Sequence, residues 1–202
     1  EELKDSVMRD IVLMSLVGIR VVLVHGGGPE ITALLNKMGK ETEFVNGLRV
    51  TDEETAQVVQ MVLAGKINKN LVNLLQIRGG KAMGLSGVDG HMIEAHQKDE
   101  RLGFVGEISH VDVQPILDVL EKGYIPVVST VGCDKSGNVY NVNADTAAAR
   151  IAGELRAESL ISMTDISGIL KDPGDPSTLF SEITASQAEQ LIADGVVSGC
   201  MI

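Results

Sequence analysis

Short apolar runs rich in β-branched residues alternate with longer segments of helical periodicity along the whole chain. Such alternation is typical of an α/β fold, in which helices connect the strands of a largely parallel sheet. Strands are predicted at 20–24, 82–85, 92–95, 104–109, 124–129 and 159–163. Helices are predicted at 3–17, 30–38, 51–64 with a second helix to about 76, 113–120, 146–155 and 184–193. We therefore expect a three-layer α/β/α sandwich around a mainly parallel sheet.

Local signals mark the starts of two of these helices. Thr51 with Glu54, and Thr184 with Gln187, have the spacing of a capping box. In that motif the first side chain accepts from the backbone of the first turn, and the second side chain bonds back. The motif places Thr51 and Thr184 at helix N-caps.

Charge and composition exclude several classes of function. The net charge is −11, whereas a general nucleic-acid binder needs a basic face, so no nucleic-acid partner is expected. No apolar run reaches the roughly 18 residues of a membrane span, and no secretion signal is visible. Cys133 and Cys200 show no paired spacing, and the four histidines have no metal-ligand spacing. These features indicate a cytoplasmic protein without a metal site of its own.

A strand followed by three glycines and a helix is the strongest local signal, in the sequence VVLVHGGGPE. Gly27 and Gly28 let a ligand approach the backbone, and free N–H groups at a helix start favour an anion. A tight turn without a ligand remains the alternative. The run is not a Walker A loop, and Ile31 replaces the third glycine of a dinucleotide fingerprint. An esterase oxyanion hole would need a Gly-x-Ser-x-Gly elbow, but the nearest candidate, at 84–88, ends in valine.

Three further segments carry groups suited to binding charged molecules. Arg49 follows Asn46-Gly47, which predicts a type I′ hairpin, and a guanidinium can grip a carboxylate through two hydrogen bonds. Alternatively, Arg49 is a solvated surface residue. At strand period Asn141, Asn143 and Asp145 share a face, although Asp145 could instead cap the next helix. The segment 164–170 follows a predicted buried strand, where ligands bind in open α/β sheets, although taken alone it could equally be an ordinary loop.

The order and spacing of these segments resemble the N-acetylglutamate kinase pattern of the amino-acid kinase family. The motifs are VHGGGP, NGLRVT, GLSGVDG, GYIPVV, NVNAD and TDISGIL, and the resemblance covers essentially the whole chain. NGLRVT and NVNAD are the discriminating pair, because sister kinases for carbamate, aspartate, glutamate and uridylate share the fold but not this pair. The resemblance implies ATP-dependent phosphorylation of the side-chain carboxylate of N-acetyl-L-glutamate, the second step of arginine synthesis.

The resemblance also implies roles for individual residues. Gly27 and Gly28 would bind substrate and receive the phosphoryl group through their backbone, Arg49 would hold the α-carboxylate, and Asn141 would contact the substrate. Asp145 would be the catalytic residue that organises the catalytic lysines. It would not act as a base, because the attacking carboxylate is already ionised. The nucleotide pocket would comprise Asp165, Ile166, Ser167, Gly168, Ile169, Leu170, Val196, Val197 and Ser198, with ATP used together with Mg²⁺.

Two catalytic lysines of the pattern are missing from this sequence. One belongs just before Glu1 and the other just beyond Ile202, so we interpret the chain as one incomplete domain, truncated at both ends and inactive alone. Residues 1–150 would form the N-acetylglutamate-binding lobe, and 151–202 the start of the nucleotide-binding lobe. A homo-oligomer is expected, and PII protein is a partner of some members. A non-catalytic domain that binds a small anion is the alternative from another class.

Overall fold

A computed structural model describes residues 2–164, 168–172 and 174–196, and the chain divides into two units between Leu160 and Ile161. In the first unit the helices are α1 (Glu2–Leu16), α2 (Gly28–Lys37), α3 (Glu53–Gln60), α4 (Asn68–Ile77), α5 (Gln114–Glu121) and α6 (Ala144–Leu155). Its strands are β1 (Leu23–His25), β2 (Phe44–Val45), β3 (Leu48–Arg49), β4 (Ala82–Ser86), β5 (Ile93–Gln97), β6 (Gly106–Val111), β7 (Ile125–Ser129), β8 (Val131–Cys133) and β9 (Val139–Asn141).

The central sheet consists of three parallel strands in the order β1-β7-β4. Consecutive side chains of β7 point to opposite faces, because a strand has a period of two. Val127 packs in a cluster with α1 and α4, whereas Val128 packs in a cluster with α5 and α6. Helices therefore cover both faces, and the predicted α/β/α layering with a parallel sheet is confirmed.

A second sheet, with the order β6-β5-β8-β9, is mixed. Strand β5 runs parallel to β8, while the β5–β6 and β8–β9 pairs are antiparallel. The β8–β9 hairpin brings Asn141 opposite Val131 and carries the chain into α6. This sheet places the end of β9 beside the glycine turn that follows β1.

Helices α3 and α4 are joined without a break by a π-helical segment, Met61–Ile67. Two helices were predicted here, and the wider turn between them could not be read from local propensity. Leu63 and Ile67 from this segment pack against the α2 region in the core. Single π-turns inside α-helices are frequent at functional sites. The segment also sets the position of Asn68, the first residue of α4.

Three local predictions were wrong. The first strand covers Leu23–His25 instead of 20–24, because only these residues have partners on β7. The N-cap of α3 is Asp52, whose carboxylate accepts from the Thr55 amide at 2.8 Å, because Thr51 is held in a bridge to Gly103. Residues 159–163 form no strand and lie exposed, since no described strand pairs with them and an apolar run alone cannot supply that partner.

In the second unit the helix α7 (Ala185–Ala193) begins with the predicted capping box. Thr184 accepts from the Gln187 amide, and the Gln187 side chain accepts from the Thr184 amide. A bridge between Leu170 and Leu179 closes the proline-rich turn that contains Pro176–Thr178. Over the part of the chain that the structure describes, no helix is long and apolar enough to cross a membrane.

Candidate active site

A cavity of about 200 Å³ opens in the first unit where α2 and α6 begin. Its walls come from the glycine turn after β1, the β2–β3 hairpin, the end of β9 and the start of α6. Five residues singled out from the sequence line it together: Gly27, Gly28, Arg49, Asn141 and Asp145. They are separated by up to 118 positions in the chain (145 − 27). The fold therefore unites the candidate residues of this unit at one place.

The glycine turn is packed too tightly for any side chain at Gly27. A Cβ atom there would lie 2.1 Å from Ile67 Cδ1 and 2.9 Å from Leu63 Cδ2, and one at Gly26 would lie 3.0 Å from Ala144 Cβ. Gly27 is the N-cap of α2, so no side chain covers the free N–H groups of the first turn. Pro29 occupies the first turn and removes one of these donors. The turn thus presents backbone donors and the positive end of a helix dipole to the cavity.

Arg49 is 5% exposed and is anchored by one of its two terminal nitrogens. Nη2 donates to the Gly28 carbonyl at 3.0 Å and to Thr32 Oγ1 at 2.8 Å, and the guanidinium lies 4.6 Å from the centre of the Phe44 ring. Nη1 is buried and has no partner among the described residues. Burial lowers the pKa of Arg49, although an arginine remains charged in proteins. The surface-residue alternative for Arg49 is therefore wrong.

The hairpin that carries Arg49 has the predicted form. Asn46 and Gly47 have φ angles of 49° and 79°, as a type I′ turn requires, and β2 pairs antiparallel with β3. Arg49 leaves β3 towards α2, and its two hydrogen bonds tie the hairpin to the first two turns of that helix. The free Nη1 is consequently held at a fixed place beside the glycine turn.

Asn141 and Asn143 border the cavity from the other side. Asn141 Nδ2 donates to Thr51 Oγ1 at 3.3 Å, and its backbone pairs with Val131 in the β8–β9 hairpin. Asn143 is the N-cap of α6, with Oδ1 accepting from the Thr146 amide at 2.9 Å. A second helix N-terminus therefore faces the same cavity as that of α2, which makes the cavity favourable for anions.

Replacing Asn143 with alanine is expected to reduce the free energy of unfolding by about 0.5–2 kcal/mol, because the Thr146 amide loses its cap. Asn143→Asp keeps an oxygen acceptor at the cap and should retain most of the stability. Urea unfolding of the two variants and the parent protein measures this difference. Equal stability of Asn143→Ala and the parent would contradict the capping role.

Asp145 lies in the first turn of α6 and is exposed at the cavity. Its carboxylate forms no hydrogen bond or ion pair with another described residue. The suggestion that Asp145 caps the helix is wrong, because Asn143 does so. The argument from strand period is also wrong beyond β9, since Asp145 lies in a helix. Asp145 nevertheless reaches the cavity, because α6 starts immediately after the strand. Its role in catalysis stays a prediction.

His25, which is half-buried, and Asn68 form a polar network beside the glycine turn that sequence reasoning missed. His25 Nδ1 lies 3.0 Å from the Gly26 carbonyl oxygen, and His25 Nε2 lies 3.2 Å from Asn68 Nδ2. Asn68 is fully buried, and the two protons of its Nδ2 are shared among His25 Nε2 and the carbonyl oxygens of Val127, at 2.8 Å, and Leu85, at 3.2 Å. The HGGG motif contains His25, but its partner Asn68 lies far along the chain, at the start of α4, and no motif marks it.

Burial lowers the pKa of His25 from its usual value near 6.5, and the charge of Lys4 acts in the same direction. The cationic Lys69 also faces this network, since its Nζ donates to Asn68 Oδ1 at 3.0 Å. The unfolded chain therefore takes up a proton at His25 at a higher pH than the folded chain. Stability should fall as the pH drops below about 6.5, because the unfolded state then binds more protons.

Urea unfolding at pH 7.5 and pH 5.5 measures this loss, and His25→Asn is expected to remove part of it. Carboxylates with lowered pKa, such as Asp52 at about 2 because of Lys40, titrate below this window. The same pH dependence in the variant and the parent would contradict the assignment to His25.

The predicted nucleotide-binding residues fall in the second unit and beyond the described residues. Asp165, Ile166, Ser167, Val197 and Ser198 lie outside the described residues. Of the others, Ile169 accepts from the Phe180 amide through its carbonyl, and Leu170 bridges Leu179. Gly168 has a φ of 139°, a conformation that side chains rarely adopt, and Val196 follows α7. Their roles stay predictions.

Neither a metal site nor a reactive thiol is found in the described ranges. No group of three or more His, Cys, Asp or Glu residues there could hold a metal ion. Cys133 is a buried free thiol whose pKa is raised by burial, so it is a weak nucleophile.

Comparison with known proteins places the chain in a family. The model of the amino acid kinase family matches residues 1–202. The chain belongs to the amino acid kinase family. The acetylglutamate kinase of Brachyspira hyodysenteriae is 56% identical to this amino acid kinase over 203 residues, covering 100% of this chain and 70% of that protein. The resemblance inferred from the motifs is thereby confirmed.

Solved structures agree with this placement. The crystal structure of smu.665 from Streptococcus mutans UA159 matches this amino acid kinase with a TM-score of 0.86 and 30% identity, covering 95% of this chain and 77% of that one. N-acetylglutamate synthase from Neisseria gonorrhoeae, solved with coenzyme A and N-acetyl-glutamate, matches with a TM-score of 0.78 and 26% identity. That match covers 96% of this chain and 44% of the synthase chain. The fold is therefore one that enzymes of different activity share.

Proposed function

We propose that this protein is an acetylglutamate kinase, which transfers a phosphoryl group from ATP to the side-chain carboxylate of N-acetyl-L-glutamate in arginine biosynthesis. High identity to an acetylglutamate kinase along the whole chain supports the reaction. The observation in the structure that carries the proposal is the buried Arg49, which lines the cavity where α2 and α6 begin and whose Nη1 has no partner among the described residues. A buried donor without a partner is costly, so a carboxylate ligand there would gain a charge-assisted hydrogen bond.

Each part of this substrate would bind to a different wall of the cavity. Arg49 would hold the α-carboxylate, with Asn141 as a polar contact from the opposite wall. The side-chain carboxylate would then lie near Gly27 and Gly28, whose backbone donors would receive the charge that develops on the phosphoryl oxygens. Because the attacking carboxylate is already ionised, no general base is required, and positioning supplies most of the catalysis.

Asp145 would orient the catalytic lysines. It would not act as a base on the attacking carboxylate. Its exposed carboxylate at the cavity is suited to orient a lysine, because a flexible ammonium needs a fixed anion to hold it in place. The positive charge needed to bring two anions together would come from the two catalytic lysines of the family pattern.

We assign nucleotide binding to the lobe of residues 151–202, in particular to 165–170 and 196–198, and substrate binding to residues 1–150. Mg²⁺ would accompany ATP, because the phosphate oxygens are the hard ligands that it prefers. The free thiol of Cys133 and the use of ATP fit the reducing cytoplasm. A homo-oligomer is proposed as the assembled form.

An acceptor panel tests the function. The intact protein is incubated with ATP, Mg²⁺ and either N-acetyl-L-glutamate, glutamate, aspartate or carbamate, and ADP release is measured. Release that depends on N-acetylglutamate alone is the expected result. Turnover with another acceptor would move the protein to a sister kinase. Binding of N-acetylglutamate without ADP release from any acceptor would support the non-catalytic alternative.

A further inference from the structure

We infer that His25 and Asn68 fix the peptide bond between Gly26 and Gly27, so that the Gly27 N–H points at the phosphoryl group in the cavity. His25 is then a positioning residue that acts through the backbone and does not touch the substrate. The phosphoryl part of this inference rests on the proposed function, whereas the peptide orientation does not.

The first step is the tautomer of His25. A carbonyl oxygen can only accept, so the 3.0 Å contact between His25 Nδ1 and the Gly26 oxygen requires a proton on Nδ1. In the neutral ring Nε2 is then an acceptor, and it lies 3.2 Å from Asn68 Nδ2. The network therefore specifies one state of the ring, neutral with the proton on Nδ1.

The second step is the orientation of Asn68, which determines whether Nε2 meets a donor. Asn68 Nδ2 contacts the carbonyls of Val127 and Leu85, which accept only, so the amide nitrogen and not the oxygen must lie on this side. On the other side Asn68 Oδ1 accepts from Lys69 Nζ at 3.0 Å. A Cβ at Gly84 would lie 1.9 Å from Oδ1, so the β4 backbone closes tightly around this amide.

The third step concerns the direction in which the Gly27 N–H points. The chain has no cis peptide among its described residues, so the Gly26 carbonyl and the Gly27 N–H point in opposite directions from one planar unit. His25, which bonds to the carbonyl, is not among the residues that line the cavity, whereas Gly26 and Gly27 both line it. The Gly27 N–H donates to no other described residue. It is therefore turned away from His25 and left for a ligand.

The hydrogen bond from His25 is needed because the backbone of successive glycines rotates freely. Three successive glycines, Gly26 to Gly28, lack the side chains that would restrict φ and ψ. Gly26 has nothing but this histidine bond to hold its carbonyl among the described residues. A donor aimed at developing charge lowers the barrier only if it is already oriented before the reaction.

Two isosteric substitutions separate this role from simple core packing. An asparagine side chain places its amide nitrogen near the position of Nδ1, whereas a glutamine places it near Nε2. We expect His25→Asn to keep kcat within about threefold of the parent, and His25→Gln to lower kcat by about 10- to 100-fold, since loss of one such donor costs up to about 10²–10³. KM for N-acetylglutamate should change little in either variant. His96→Gln, at an exposed histidine on β5, is the matched control and should leave kcat unchanged.

Nitrogen-15 NMR of the intact protein labelled at histidine gives a readout that needs no turnover. The His25 signals, identified by their loss in His25→Asn, should report a neutral ring with the proton on Nδ1 at pH 7. A proton on Nε2, an imidazolium, or a kcat for His25→Gln equal to or above that of His25→Asn would overturn the inference. Absence of kinase turnover in the parent protein would refute the proposed function and the phosphoryl role of Gly27. The NMR result would still test whether His25 fixes the orientation of the peptide bond between Gly26 and Gly27.

Discussion

Replacing Arg49 with alanine is expected to lower kcat/KM for N-acetylglutamate by about 30- to 4,000-fold. Truncating one partner of a buried charge pair costs about 2–5 kcal/mol, and each 1.4 kcal/mol is tenfold. Most of the loss should appear in KM, because the α-carboxylate bound by Arg49 is remote from the reacting oxygen and is held equally before and during the reaction. Initial-rate kinetics over a range of N-acetylglutamate concentrations measures both constants.

Arg49→Lys distinguishes the geometry of the guanidinium from its charge. A lysine ammonium cannot hold the Gly28 carbonyl, Thr32 Oγ1 and a carboxylate in the fork that Arg49 provides, so most of the affinity should still be lost. Arg101→Ala, at an exposed arginine paired with Asp99, is the matched control and should have parental kinetics. A parental KM in Arg49→Lys would contradict the carboxylate assignment. Thermal unfolding of each variant checks that the hairpin still docks on α2.

Gly27→Ala is the second change with a large expected effect. The added Cβ would lie 2.1 Å from Ile67 Cδ1, so the glycine turn or the π-helical segment must move. Overpacking of this kind costs about 1–3 kcal/mol of stability, and displacement of a catalytic loop by about 1 Å can cost about 100-fold in rate. Both the free energy of unfolding and kcat should therefore fall.

A double substitution tests whether this contact is the cause. Ile67→Val removes the Cδ1 methyl group, so Gly27→Ala with Ile67→Val should recover part of the stability that Gly27→Ala loses. Gly153→Ala in α6 is the matched control, because a Cβ there meets nothing within 4 Å. It should be neutral or slightly stabilising. Additive effects of Gly27→Ala and Ile67→Val would show that the clash is not the reason.

Sequence patterns predicted the elements that local chemistry determines. The Asn46-Gly47 turn was predicted correctly because only a type I′ turn places two such residues at positive φ. The Thr184 cap was also correct, but Thr51 was not, because the backbone bridge to Gly103 is a long-range contact that competes with the local motif. Residues 159–163 show the same limit, since a strand needs a partner that its own sequence does not contain.

The candidate site was predictable where a family motif marked its residues, and not where burial creates the role. Arg49 was found by its motif, but its unpartnered Nη1 depends on contacts with α2. Asn68 gave no signal, because an asparagine early in a helix pattern is usually solvated. Its function appears only when the π-helical segment brings it under β1 and β7. Asp145 was predicted to share a strand face with Asn141. It lines the cavity instead because it lies in the first turn of α6.

The most direct test of the central claim is to identify the carboxyl group that receives the phosphoryl group. The intact protein is given ATP, Mg²⁺ and N-acetyl-L-glutamate with hydroxylamine, which converts an acyl phosphate to a hydroxamate, and the product is located by fragmentation mass spectrometry. We predict hydroxamate on the side-chain carboxyl in an amount equal to the ADP released. ADP without hydroxamate, or hydroxamate on the α-carboxyl, would contradict the proposal. In that proposal Arg49 binds the α-carboxylate, and the side-chain carboxylate lies at the glycine turn.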